Sequence, residues 1–271
     1  MKMLWAVAAL LGTPVAMASD GLVSAAAITI SIQRGPTPPR ELPLEATADG
    51  SVRLHASWTL GIDASGHVSK LEPSGSPLVD NVRAPVESAI RRWQFIPGTI
   101  AGQPAATDTT LAIDLTLVPM DADKLAVRID DARTGVDIPR RGMHAFPKYP
   151  FEAIRHRKEA MVVLKVDYDA EGRVLAANLQ DGAPEVDASF ARSAQQAVKR
   201  WTFAPEIVGG RALAGSAIVP ICFEMYLDHD PKTNRSCQWK PPAGHQGVGE
   251  GGIVAIEPAA RLQSEVIGRT L

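Results

Sequence analysis

This sequence has no excess of basic residues, only two cysteines and, after its first eighteen residues, no long apolar run. Lys and Arg together number 28, against 30 Asp and Glu. A protein that neutralises many phosphates normally carries a basic surplus, so the charge balance argues against nucleic acid as a partner. The apolar segments after residue 18 are too short to cross a bilayer, which takes about 20 residues. The length of 271 residues suits two modest domains better than one.

Motifs that usually carry chemistry are missing as well. The six histidines and two cysteines show neither His-x-x-x-His nor Cys-x-x-Cys spacing, so the sequence predicts no metal site. There is no Gly-x-Ser-x-Gly elbow and no glycine loop for phosphate. The stretch "HDP" at 229–231 allows acid–base chemistry, but a solvated loop is the favoured interpretation. We therefore predict a protein that is not an enzyme and needs no cofactor.

The first eighteen residues, "MKMLWAVAALLGTPVAMA", have the layout of an export signal. One lysine is followed by an apolar run and then by small residues at 16–18, where a signal peptidase would cut. An uncleaved membrane anchor is the alternative, but the run is short and contains Gly12 and Pro14. We expect cleavage and export.

Export makes the two cysteines, Cys222 and Cys237, candidates for a disulfide bond. The alternative is two unrelated thiols. Because the compartment is oxidising and no other cysteine competes, we favour the bond.

The stretch "AIRRWQFIPG" at 89–98 is repeated 108 residues later as "AVKRWTFAPE" at 197–206. The apolar residues leading to each tryptophan fall at i, i+4, i+7, i+8 and i+11, which is one face of a helix about three turns long. These residues are Val82, Val86, Ala89, Ile90 and Trp93 in the first copy, and Phe190, Ala194, Ala197, Val198 and Trp201 in the second.

Each predicted helix lies between a hairpin and a last strand. The hairpins, at 58–71 and 164–179, share an Asp-x-x-Gly turn, and the last strands are "TLAIDLTL" (110–117) and "AIVPICFEM" (217–225). The predicted fold class is α+β, with two β-β-α-β units, each a small antiparallel sheet with one helix packed on a face. We expect each unit to leave main-chain groups free at a sheet margin.

The sequence divides into six predicted parts. Alternating apolar residues suggest an extra strand at 28–32 and another at 125–129. The parts are a signal peptide (1–18), an N-terminal arm with a possible strand (19–49), the first unit (50–119), a linker with a possible strand (120–142), the second unit (143–227) and a Gly/Pro-rich tail (228–271).

The second unit resembles the C-terminal domain of TonB-family energy transducers. Its stretches "YPFEAIRHRKEA", "VDYDAEGRV", "AVKRWTFAP" and "AIVPICF" match, in order, that family's Tyr-Pro-x-x-Ala segment, acidic-Gly turn, basic-basic-Trp helix end and final strand. The first unit lacks Tyr-Pro-x-x-Ala and resembles a diverged copy. The matching positions are Tyr149, Pro150, Ala153, Asp169, Gly172, Trp201, Phe203 and Pro205.

The resemblance implies a periplasmic, non-enzymatic protein whose edge strand pairs with the TonB box, a short peptide of an outer-membrane transporter, in energy-dependent transport. An exposed edge accepts almost any side chains, because it offers main-chain N–H and C=O groups. Inner-membrane motor proteins or cell wall are further implied partners, and an inner-membrane anchor facing the periplasm is the alternative location. The implied peptide-binding strand consists of Ser216, Ala217, Ile218, Val219, Ile221, Cys222, Phe223 and Glu224.

The chain also departs from the transducer pattern. Its Pro-rich piece, "RGPTPPRELP" at 34–43, would reach only about 30 Å as a polyproline helix. Pro220 removes one N–H donor from the implied edge. A bond from Cys222 to Cys237 would fold residues 226–240 over the open sheet and restrict strand addition. The alternative function is therefore a free periplasmic adaptor or structural protein that binds cell wall or another envelope partner.

One local concentration of charge accompanies the Tyr-Pro segment. It consists of Arg155, His156, Arg157 and Lys158. A solvated helix face is the favoured interpretation. The alternative is contact with anionic cell wall, lipid headgroups or an acidic partner.

Overall fold

The computed structural model describes residues 22–24, 45–46, 51–74, 78, 80–121, 124–138, 145–183, 185–225 and 253–271. The predicted signal peptide, the strand predicted at 28–32, the Pro-rich piece and Cys237 lie outside these residues. In chain order the elements are β1 (Leu22–Ser24), β2 (Glu45–Ala46), β3 (Val52–Ile62), β4 (Val68–Ser74), α1 (Asp80–Ile90), β5 (Phe95–Ile96), β6 (Thr99–Ile100), β7 (Gln103–Pro104), β8 (Thr107–Asp121), β9 (Lys124–Gly135), α2 (Phe151–Arg155), β10 (Ala160–Tyr168), β11 (Val174–Leu179), α3 (Ala188–Val198), β12 (Ile207–Val208), β13 (Arg211–Ala212), β14 (Gly215–Phe223), β15 (Val254–Ala255) and β16 (Arg261–Leu262).

The predicted α+β class is confirmed: the described part of the chain is strand-rich, with antiparallel sheets and three helices. In the first half, β4, β3, β8, β9 and β1 are successive neighbours in one sheet. In the second half, the order is β11, β10, β14, β15. In both halves, the last strand thus pairs with the first strand of the hairpin.

The first sheet buries one face against α1. Because side chains alternate across a strand, Trp58, Leu60 and Ile62 of β3 lie on one face, and each is at most 1% exposed. The helix residues Val86 and Ile90 are completely buried in the same core. The apolar residues that recur with a 3.6-residue period in the sequence therefore form the helix face that packs on the sheet.

The second sheet is built in the same way with different side chains. Phe190, Ala194 and Val198 of α3 are buried in a core that includes Leu164 and Val166 of β10. The start of α3 is capped, since the Asp187 side chain accepts the N–H of Ser189 at 2.9 Å. In α1, Asp80 lies in the first turn and is ion-paired with Arg83.

The two hairpin turns are alike in atomic detail. In the turn at 63–66 the aspartate accepts main-chain N–H groups two and four residues on, and the turn at 169–172 does the same. Each turn glycine then accepts the N–H of a phenylalanine beyond the helix, from Phe95 at 2.9 Å and from Phe203 at 2.8 Å. This contact joins the hairpin to the segment that follows the tryptophan.

The linker predicted at 120–142 does not separate the halves, because β9 occupies most of it. β9 pairs with β8 from Lys124, opposite Asp121, to Gly135, opposite Thr110. The suggested strand at 125–129 is therefore real, and Val127 and Ile129 of it are completely buried in the first core. That burial explains why the segment folds back on the sheet.

The tail predicted at 228–271 is also more structured than expected over residues 253–271. β15 pairs with β14, β16 pairs with β5, and the last residues run beside β9. The N–H of Ile129 donates to the Arg269 carbonyl at 2.9 Å, and the N–H of Leu271 donates to the Val127 carbonyl at 2.8 Å. Ala260, with no exposed surface, completes the first core from this segment.

The halves also join directly through residues after α3. β12 pairs with β8, placing Ile207 opposite Asp108 and Val208 opposite Thr107. The N–H of Ala204 donates to the Asp137 carbonyl at 2.8 Å. Residues that follow α3 are therefore joined to the first half by main-chain hydrogen bonds, in addition to the contacts made by the tail.

Candidate peptide-binding edge

The strand implied as the peptide-binding edge is β14, which lies beside β10 along its whole length. The pairing runs from Phe223, opposite Ala160, to Gly215, opposite Tyr168. Val219 and Ile221 are buried against the helix-side core, while Cys222 is exposed on the opposite face, as the alternation predicts. Glu224 comes directly after the end of the strand.

The outer edge of β14 is partly covered by the C-terminal segment. Ala217 lies opposite Ala255 and Ile218 lies opposite Val254. The Ser216 carbonyl accepts the N–H of Ile256 at 2.9 Å. Within the described ranges, no strand other than β15 pairs with this edge, and its pairing ends at Ile218. The first part of the implied site is thus occupied from within the chain.

Pro220 lies on the same outer margin. Main-chain groups alternate in direction along an antiparallel strand, and Ser216 points its carbonyl towards β15. Residues 218 and 220 therefore point the same way. Since proline has no N–H, position 220 offers only an acceptor to a strand added there.

The Tyr-Pro-x-x-Ala segment packs against the C-terminal end of β14. The Tyr149 ring meets the rings of Phe190 and Phe223 edge-on, each with a centroid distance of 5.6 Å. Its hydroxyl donates to the Lys158 carbonyl at 2.6 Å. Pro150 precedes the first turn of α2, and Ala153 is the buried residue of that helix.

The Tyr149 hydroxyl remains protonated well above neutral pH. Partial burial raises its pKa above the ordinary value, and the nearby carboxylates of Glu159 and Glu224 add to the shift. The group is therefore a stable hydrogen-bond donor at the end of the edge strand.

The other motif residues are structural supports rather than edge contacts. Trp201 is 6% exposed and its indole N–H donates to the Ala145 carbonyl at 2.6 Å. Gly172 has a φ of +79°, and a Cβ there would lie 2.0 Å from the Phe203 carbonyl oxygen. Pro205, half-buried, lies in the crossing from α3 to β12.

The basic cluster lies on the solvent side of α2 and the residues after it. Arg155 and His156 both pair with the Glu152 carboxylate, at 3.5 and 3.8 Å. Lys158 lies 4.0 Å from Asp187. All of these side chains are more than half exposed. The neighbouring acids offset much of the positive charge, which is what a solvated face presents.

The predicted disulfide concerns a residue beyond the described part of the chain. Cys222 lies exposed on β14, whereas Cys237 falls in the segment that the structure does not describe. The bond stays a prediction.

None of the described helices has the length and apolar character needed to cross a membrane.

A buried carboxylate at the junction of the two halves was not predicted from any sequence pattern. Glu206 is 5% exposed and accepts hydrogen bonds from the Thr109 hydroxyl at 2.7 Å and from the N–H groups of Ala259 at 2.7 Å and Ala260 at 3.4 Å. Burial raises its pKa, although all three donors favour the charged form. The residue ties β8, the crossing after α3 and the tail together.

The sequence analysis also did not predict β15, the strand that pairs with the outer edge of β14. The signal for β15 is "GGIVAIEP" at 251–258, where four aliphatic residues lie between glycines and a proline. No sequence rule, however, assigns so short a run to a partner 36 residues earlier in the chain.

Comparisons with known proteins find similarity in the second half of the chain. Residues 145–225 match the family model described as the Gram-negative bacterial TonB protein C-terminal. Protein TonB of Xanthomonas campestris pv. campestris, from strain B100 and from strain ATCC 33913, is in each case 34% identical over 95 residues. That alignment covers 35% of this chain and 41% of each relative, so the chain spans less than half of their length. No solved structure matches. Residues 145–225 of this chain therefore form a TonB C-terminal domain.

Proposed function

We propose that this chain is a non-enzymatic, periplasm-facing, TonB-like protein that binds an extended peptide of an outer-membrane transporter by strand addition at β14. The observation that carries the proposal is the outer margin of β14. It belongs to the TonB C-terminal domain. Among the described strands, only β15 pairs with this margin, and that pairing ends at residue 218. An incoming strand would continue the sheet along this margin.

The side chains behind β14 suit a strand that must stay in place when a peptide binds. Val219, Ile221 and Phe223 anchor it to the helix-side core, and β10 pairs with its inner edge throughout. Strand addition needs little rearrangement of such an edge, so binding energy is not spent on ordering it.

We extend the proposal to energy-dependent transport, because the relatives that match are named Protein TonB. Force transfer would need an attachment to the inner membrane, either through a retained N-terminus or through motor proteins. The competing adaptor function needs neither. Sequencing the N-terminus of the mature protein from cell fractions separates them: an intact start in the membrane fraction supports transduction, and a start near Ser19 supports the adaptor.

The strand-addition proposal is tested by titrating ¹⁵N-labelled full chain with a synthetic peptide that contains a TonB box. We expect amide shifts concentrated in residues 216–224, in the oxidised or the reduced protein. Amides of β8 are the internal control, because β3 and β9 pair with both of its edges.

A matched peptide separates main-chain pairing from side-chain contact. The same sequence with alternate amides N-methylated keeps its side chains but loses donors to the edge, so we expect its binding to disappear. Equal binding of the two peptides, or no shift in 216–224 under either redox condition, would remove strand addition at β14 from consideration.

A further inference from the structure

The segment 253–256 contacts β14 as an added strand would. It pairs at Val254 and Ala255, and the N–H of Ile256 donates to the Ser216 carbonyl at 2.9 Å. These bonds use main-chain groups at the edge to which we assign peptide binding. The chain therefore already contains one sequence that this edge accepts.

Val254 faces the side of the sheet opposite α3. It is 5% exposed and packs with Val163 of β10 and Ile218 of β14 in a small cluster of its own. Part-buried Met161 and Ile256 border that cluster. A branched aliphatic side chain at this position thus completes an apolar patch that β10 and β14 would otherwise expose.

Ala255 faces the other way, into the helix-side core beside Gly135. A Cβ on Gly135 would lie 2.5 Å from the Ala255 Cβ, closer than van der Waals contact permits. Val136 and Ile138 belong to the same core cluster. The backbone of the first half therefore limits this position to a small side chain.

The rest of the tail is held by the first half and not by β14. Arg261 and Leu262 pair with β5, and the N–H groups of Ala259 and Ala260 donate to Glu206. These contacts would keep the tail attached downstream if residues 253–256 left the edge.

We infer that Ile253–Ile256 is the chain's own ligand for the β14 edge, and that an outside peptide binds residues 216–218 only by displacing it. The outside peptide must also match its pattern, with a branched aliphatic residue next to a small one. This inference rests on the proposed function, and it adds both the chemistry of the partner and a competitor for it.

The consequence is a measurable reduction in apparent affinity. When a site is open for only a fraction of the time, the apparent dissociation constant equals the intrinsic constant divided by that fraction. Releasing the internal strand should therefore tighten the binding of any peptide that uses the same edge.

The test uses the full chain carrying Ile256→Pro, which removes the N–H that bonds to Ser216, and Glu257→Ala as a matched control at an exposed neighbour. The probe is a synthetic peptide of residues 251–258, GGIVAIEP, followed by amide shifts in ¹⁵N-labelled protein. We expect Ile256→Pro to bind it at least roughly tenfold more tightly than wild type, with shifts at 216–218, and Glu257→Ala to bind as wild type does. An unchanged β3–β8 amide spectrum verifies the fold.

Two altered peptides test the side-chain pattern on the Ile256→Pro protein. With leucine in place of Ala255, overpacking against Gly135 should weaken binding at least roughly tenfold. With leucine in place of the exposed Glu257, binding should persist. Equal binding of both peptides would overturn the pattern.

The TonB-box peptide distinguishes this inference from the proposed function. Tighter binding to Ile256→Pro than to wild type supports both. Equal binding to the two proteins, with unchanged signals at 254–256, overturns the competitor and leaves the function standing. If GGIVAIEP binds and the TonB-box peptide does not, the transporter function is overturned and the internal ligand is supported. Failure of GGIVAIEP to bind Ile256→Pro overturns the internal ligand.

Discussion

The last strands of the two halves, β8 and β14, come at the same point in the β-β-α-β order, but their outer edges are paired to different extents. β9 comes directly after β8 and pairs with it from Lys124 to Gly135. β10 pairs with one edge of β14, and on its other edge the described residues form two pairs, both with β15. In the described part of the chain, β9 therefore covers most of the outer edge of β8, whereas β15 covers only a short part of the outer edge of β14.

The difference shows that a shared local pattern does not determine which edge is free. The turns at 63–66 and 169–172 make the same hydrogen bonds, and the tryptophans Trp93 and Trp201 are equally buried, at 6%. The difference lies in which described strand pairs with the outer edge. β9 pairs with β8 over most of its length, whereas β15 pairs with β14 only at residues 217 and 218, and an edge without a partner strand offers main-chain groups to other strands.

The largest expected effect tests whether the two hairpin turns are equivalent. Gly172→Ala and Gly66→Ala would each bring a Cβ within about 2.1 Å of a carbonyl oxygen, that of Phe203 or Phe95, at a positive φ. We expect each to lower the free energy of unfolding by roughly 3 kcal/mol or more, measured by urea denaturation. Gly182→Ala is the control, because φ is also positive there but the space is open, and it should lose about 1 kcal/mol. If only one of the two substitutions lowered the free energy of unfolding by this much, the two turns would not be equivalent.

The next effect separates the two tryptophans. Trp201→Phe and Trp93→Phe remove similar buried volume, but only Trp201 donates from its indole N–H, among the described residues, to the Ala145 carbonyl. We expect Trp201→Phe to lose about 1 kcal/mol more stability than Trp93→Phe, because that carbonyl loses its donor. Equal losses in parallel denaturation curves would mean that water replaces the indole.

A smaller effect concerns the junction of the halves and depends on pH. Burial raises the folded-state pKa of Glu206 above its ordinary value of 4.5, so the folded protein holds this proton more tightly than the unfolded chain. Its contribution to stability is present below the unfolded pKa and is lost as pH rises through the raised folded pKa. We expect Glu206→Gln, which keeps an acceptor oxygen, to lack this loss.

The measurement is the difference in unfolding free energy between wild type and Glu206→Gln across about pH 4 to 8, with values flanking pH 4.5. The advantage of the wild type should shrink as pH rises. A difference that is constant across the range would show that Glu206 ionises as it does in the unfolded chain.

The smallest effect concerns the basic cluster, which has no counterpart in the first half. Replacing Arg155, Arg157 and Lys158 together with serine should change stability by less than roughly 1 kcal/mol, because the pairs they make are exposed. Thermal unfolding checks this. If cell-envelope pull-down is lost while stability is kept, the cluster is a contact surface, and unchanged pull-down leaves it a solvated face.

Much of the fold was predictable because its signals are local. The apolar spacing of the helices, the Asp-x-x-Gly turns and the alternation that puts Val219 inward and Cys222 outward all depend on residues close together in sequence. The Tyr-Pro-x-x-Ala segment, the acidic-Gly turn, the helix end with Trp201 and the final strand together indicated the TonB C-terminal domain, which the family model matches over 145–225.

The sequence by itself determined the helices, the hairpins, the strand faces and the domain of the second half. Only the tertiary structure decided that β9 closes the first edge, that β15 lies on the second and that Glu206 is buried between them. The physical reason is that a strand's partner depends on which apolar faces remain uncovered after the local elements have packed. A short run such as 253–256 has no periodicity that points to a distant edge.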